Sequence, residues 1–99
     1  MDITVQELKA KLDNGDDFIF IDVRELHEYE EFNLGAILIP LGEIMQGIET
    51  YSDKKDSEVV LHCRSGNRSG MAKTLFEQNG FKNVRNLTGG VLAWVQAFP

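Results

Sequence analysis

The chain alternates short, unbroken apolar runs with amphipathic segments, and that alternation limits the folds open to it. Phe18-Ile19-Phe20-Ile21, Ala36-Ile37-Leu38-Ile39 and Val59-Val60-Leu61 lack the polar interruptions of a half-exposed strand. Such runs suit strands covered on both faces. Val84-Arg85-Asn86-Leu87 supplies a further short strand, and Pro40 stops the second run. Between the runs lie helical patterns. Thr4-Val5-Gln6-Glu7 is a capping box opening a helix that carries Val5, Leu8 and Leu12 and ends at Asn14-Gly15. Leu26 to Phe32 makes a short helix with Leu26, Tyr29 and Phe32 facing in and its acidic residues on a solvated face. Ile44, Met45, Ile48 and Tyr51 mark another helix. Met71, Ala72, Leu75 and Phe76 mark a third, closed by Gly80, and Val91, Leu92, Trp94, Val95 and Phe98 a last one after the turn Thr88-Gly89-Gly90. Strands and helices in alternation imply an α/β fold: a central parallel sheet flanked by helices on both faces. At 99 residues the expectation is one domain over 1–99.

The third apolar run ends in the most unusual residues of the sequence. Cys63, the one cysteine, follows it directly, and Arg64, Ser65, Gly66, Asn67 and Arg68 lead into the next helical pattern. In parallel sheets ligands bind at the carboxyl ends of strands, which is where this segment falls. A loop curling into a helix N-terminus turns backbone N–H groups inward and adds the positive end of the helix dipole. With Arg64 and Arg68 alongside, a thiol there ionises below its reference pKa of about 8.5 and becomes nucleophilic. Two arginines and a glycine are poor company for an inert core cysteine. His62 precedes Cys63 on the strand, so its side chain points to the opposite face and reads as a packed histidine. His27, alone among acidic residues, and Trp94, at helical spacing among aliphatics, read as surface and core residues.

Charge and composition exclude some functions. A net charge of -6 argues against nonspecific nucleic-acid binding, and no apolar run reaches membrane-spanning length. One cysteine forms no internal disulfide, and Met1-Asp2-Ile3-Thr4 lacks the basic start of a secretion signal. A cytoplasmic location is the expectation.

Spacing separates the possible cysteine chemistries. A thioredoxin-like enzyme requires a second cysteine, where this chain has Ser65 and Gly66. A cysteine hydrolase requires a histidine base, and His62 is badly placed for that. A tyrosine-type phosphatase loop, or a related arsenate or phosphate site, has one more residue between cysteine and arginine than the Arg64-Ser65-Gly66-Asn67 found here. The shorter ring of N–H groups suits a terminal sulfur on the cysteine better than a phosphoryl group.

Nearly the whole chain resembles a single-domain rhodanese, a member of the rhodanese homology superfamily. The resemblance is carried by Asp22-Val23-Arg24-Glu25, by Gly35-Ala36 before Ile39-Pro40, by Cys63 to Ser69, and by Leu87-Thr88-Gly89-Gly90 leading to Ala93-Trp94. It implies a cofactor-free and metal-free thiosulfate sulfurtransferase in which Cys63 takes the outer sulfur of thiosulfate as a persulfide. Cyanide or a thiol then removes that sulfur. Arg64, Ser65, Gly66, Asn67 and Arg68 would bind donor and persulfide, with Asp22 and Arg24 as structural supports. The partners are small-molecule donors and acceptors, with a protein donor or acceptor as a second possibility. In that second case the domain is a partner-fed relay or regulatory module. Phe32-Asn33-Leu34 departs from the family's frequent Gly-His-Ile-Pro stretch, and Leu26 stands where proline is frequent. The doubly cationic loop resembles thiosulfate-using members more than mercaptopyruvate-using ones.

Overall fold

The computed structural model describes residues 1–99. The elements run α1 (Val5–Asn14), β1 (Ile19–Asp22), α2 (Leu26–Glu31), β2 (Ile37–Leu38), a 3-10 turn (Leu41–Glu43), α3 (Ile44–Thr50), β3 (Glu58–His62), α4 (Asn67–Gln78), β4 (Asn83–Asn86) and α5 (Gly90–Ala97). All four strands are parallel, in the order β2-β1-β3-β4. Ile3 adds a parallel bridge to Leu87 beyond β4. The capping box forms as expected, with reciprocal bonds between Thr4 and Glu7.

The central strands are covered on both sides, which is why Ile19-Phe20-Ile21 of β1 and Val59-Val60-Leu61 of β3 run apolar without interruption. Ile21, Val59, Leu61 and Cys63 face a core that includes Ile44 and Ile48 of α3 and Ala72 and Phe76 of α4. Phe20 and Val60 face the other core, with Val5 and Leu8 of α1, Leu87, and the partly buried Ala93, Trp94 and Phe98 at α5. Trp94 is thus a packing residue, in edge contact with Phe98 at 4.8 Å. The period-2 alternation of a strand puts Cys63 and His62 on opposite faces.

Three expectations shift. Helix α4 starts at Asn67, well before the apolar pattern at Met71, so Asn67 and Arg68 belong to its first turn. Strand β2 is only Ile37–Leu38, and Ile37 is exposed, as befits the sheet edge. Helix α2 buries none of its residues: Leu26 is exposed, as is Phe32 after its end, and only Tyr29 packs, its hydroxyl donating to the Ala36 carbonyl at 2.8 Å. A helix of six residues has too few turns to present a full apolar face. No helix is long and apolar enough to cross a membrane.

Candidate active site

Strand β3 delivers Cys63 to the start of α4 with its residue surface 1% exposed. The sulfur Sγ accepts hydrogen bonds from the Gly66 N–H at 3.1 Å, the Ser69 N–H at 3.4 Å and the Ser69 hydroxyl at 3.3 Å. Burial pushes the thiol up. The bonds from Ser69, Gly66 and Ser65 outweigh it and hold Cys63 below the ordinary thiol range. The lowered pKa expected from the sequence is present, with hydrogen bonds as its chief cause rather than the two arginines. Gly66 makes the loop possible: its φ of 109° lies in the left-handed region, which other residues rarely enter.

Two further residues are structurally central to the site: Ser69, which the sequence places at the end of the loop motif without a role, and Asn86, which it does not single out. Ser69, buried in the first turn of α4, contributes two of the three contacts to sulfur. Asn86, at the end of β4, donates through Nδ2 to the Gly66 carbonyl at 3.0 Å and lies 2.5 Å through Oδ1 from the Ser69 hydroxyl. The Ser69 hydroxyl therefore stands between sulfur and amide, and its single proton serves one of them at a time. Early helix N–H groups lack intrahelical acceptors, so a serine in a first turn preceded by a cysteine loop is a signal available in sequence. Asn86 leaves no such signal, because only the sheet order brings β4 beside β3.

The first turn of α5 holds the loop from behind. Val91 and Leu92 donate their N–H groups to the carbonyls of Cys63 and Arg64, each at 3.0 Å. A Cβ on Gly90 would come within 2.5 Å of the Arg64 carbonyl oxygen and 2.6 Å of that of Cys63. Glycine at this position lets the helix approach the loop backbone that closely.

The expected site residues separate into groups. Cys63, Ser65 and Gly66 converge on the sulfur through side chain or backbone. Arg64 and Asn67 are exposed, and Arg64 makes no ion pair. Arg68 does: its Nη1 lies 3.0 Å from Glu28 Oε2 of α2. Glu28 is thus a partner of the loop and not part of a merely solvated acidic face. His27 is exposed.

Asp22 and Arg24 form a buried unit beneath the neighbouring loop. Arg24 Nη2 lies 2.8 Å from Asp22 Oδ2, its Nε 3.0 Å from both Asp22 oxygens, and its backbone N–H donates to Oδ1 at 2.9 Å. Arg24 Nη2 also donates to the Phe32 carbonyl at 2.6 Å, pinning the departing Phe32-Asn33-Leu34 segment. Asn33 Oδ1 accepts from the Gly35 N–H at 2.9 Å, closing that turn locally. His62 lies on the same side of the sheet as Asp22, with Nε2 3.5 Å from Asp22 Oδ2 and no hydrogen-bond partner.

A buried cysteine cradled by N–H groups between a parallel strand and a helix defines a class of α/β proteins that stabilise negative sulfur with backbone and side-chain donors. The family model for the rhodanese-like domain matches residues 4–97, and the chain belongs to that family. It is 38% identical over 94 residues to the putative sulfurtransferase YtwF of Bacillus subtilis, covering 94% of this chain and 88% of that protein. It is 34% identical to the putative sulfur carrier protein YrkF of Bacillus subtilis, covering 94% of this chain but only 50% of YrkF, so it spans half that relative's length. Among solved structures, a rhodanese-like domain protein from Staphylococcus aureus superposes with a TM-score of 0.83 at 31% identity, covering 95% of this chain and 91% of that one.

Proposed function

We propose that the protein is a sulfurtransferase that carries sulfane sulfur as a persulfide on Cys63. The observation that carries this reading is the set of three hydrogen bonds converging on a buried sulfur whose thiol pKa is lowered. The Cys63 thiolate attacks the outer sulfur of thiosulfate or a similar donor. The donor S–S bond breaks and sulfite leaves with the electron pair. Cyanide or a thiol then attacks the outer sulfur of the persulfide, and Cys63 departs as the thiolate. Backbone N–H groups between Ser65 and Ser69 stabilise negative sulfur in both resting and loaded forms, and Arg64 and Arg68 attract the anionic donor. Asp22 and Arg24 act as supports for the adjoining loop. No cofactor is required by these steps.

The second reading is a relay in which a partner protein's persulfide loads Cys63. The Glu28–Arg68 ion pair favours it, because it offsets the charge that would draw in thiosulfate. Thiocyanate formation from thiosulfate and cyanide tests the first reading. Turnover by the wild type and none by Cys63→Ser is expected; activity in the variant equal to wild type would remove Cys63 as the carrier.

A further inference from the structure

The two arginines of the loop differ. Arg64 is exposed and unpaired, whereas Arg68 sits against Glu28 at 3.0 Å, with the two side chains 29% and 23% exposed. Burial alone would lower the Arg68 pKa; its bond to Glu28 and the charges of Glu28, Cys63 and Glu25 outweigh that. Arg68 pairs with Glu28 in the first turn of α4, one residue before Ser69, which donates to the Cys63 sulfur. Glu28 also accepts weakly from the Glu25 N–H at 3.4 Å, which ties its carboxylate to the start of α2. A carboxylate paired with an arginine of the cysteine loop repels any second anion approaching that arginine. The repulsion grows with the charge of the incoming group.

We infer that Glu28 is a specificity-determining residue that disfavours dianionic donors and tilts Cys63 toward sulfur held on a carrier of low charge, such as a thiol persulfide. The inference deepens the sulfur-transfer reading and rests on it. The charge on Cys63 itself is common to all donors, so Glu28 acts on the relative rates of donors rather than on the nucleophile.

Glu28→Gln isolates the effect, because glutamine keeps an oxygen for Arg68 and for the Glu25 N–H while losing the charge. Two probe pairs differ by one unit of charge each. Iodoacetate and iodoacetamide alkylate Cys63 and report the local field without sulfur transfer. Thiosulfate and methanethiosulfonate both give up a terminal sulfur, leaving sulfite or methanesulfinate with the electron pair, and intact mass follows the persulfide. At low ionic strength the variant is expected to raise the more-charged to less-charged rate ratio about threefold in each pair. Molar salt is expected to compress that gain. Ratios unmoved by the substitution would overturn the role of Glu28 and leave sulfur transfer standing. A shifted alkylation ratio with no persulfide from either donor would overturn the sulfur-transfer reading, and the donor preference with it.

Discussion

His62 and Cys63 are adjacent in the chain and almost equally hidden from solvent, at 0% and 1% exposed, yet their surroundings do opposite things. Three donors meet the cysteine sulfur, and its charged form is favoured. The histidine has no partner at Nε2, and burial lowers its pKa against the pull of Asp22, so its neutral form is favoured. Both groups have depressed pKa values for different reasons: hydrogen bonding to an anion in one case, desolvation of a cation in the other. Burial alone therefore does not decide which form of a group is favoured. The count of donors aimed at the group does, and the sheet separates a thiolate-stabilising face from a supporting one within a single peptide unit.

The supporting face should show the largest effect on stability. Asp22→Ala leaves the Arg24 guanidinium 4% exposed without its carboxylate. Unfolding in urea should show a loss of about 3–5 kcal/mol, as breaking a buried ion pair does. A loss under about 1 kcal/mol would mean that water or another group replaces Asp22 readily.

On the cysteine's face, Ser69→Ala removes the hydroxyl contact to sulfur while keeping the N–H. The midpoint of Cys63 alkylation by iodoacetamide should move up by about one pH unit, equivalent to about 1.4 kcal/mol. Stability should change less than in Asp22→Ala. An unmoved midpoint would show that the Ser69 proton stays with Asn86 Oδ1 even when sulfur is ionised.

The smallest effect concerns acid stability. Burial places the His62 pKa in the folded protein below its ordinary 6.5, so the unfolded chain binds the proton first. This contribution to stability is complete above pH 6.5 and falls away as pH drops through the window beneath it. His62→Gln should flatten that part of the stability profile, measured as urea midpoints from pH 7 to pH 5. An acid limb of unchanged slope would assign it to other groups.

Much of the frame was legible in the sequence because burial on both faces writes itself as continuous apolar runs. Phe18 to Ile21 and Val59 to Leu61 announced the inner strands for that reason. Edges and short helices were less legible. Ile37 and Leu26 are apolar and exposed, and no local pattern distinguishes them from core residues. The loop that holds the cysteine sulfur was readable from Cys63 and Gly66 between a strand and a helix, since that is where N–H groups converge. Glu28 and Asn86 were not. Their roles come from contacts across 40 and 20 residues, to Arg68 and Gly66 respectively, which only the sheet order creates. A charged residue on a short surface helix and an asparagine at a strand end have many bland explanations in sequence alone.

Whether Cys63 carries sulfur is tested most directly by intact-mass spectrometry. Reduced, folded protein is treated with thiosulfate or a low-molecular-weight persulfide and then with cyanide, beside Cys63→Ser. A gain of about 32 Da that cyanide removes and the variant never acquires is the expected result. No sulfur gain from either donor, or the same gain in Cys63→Ser, would contradict it.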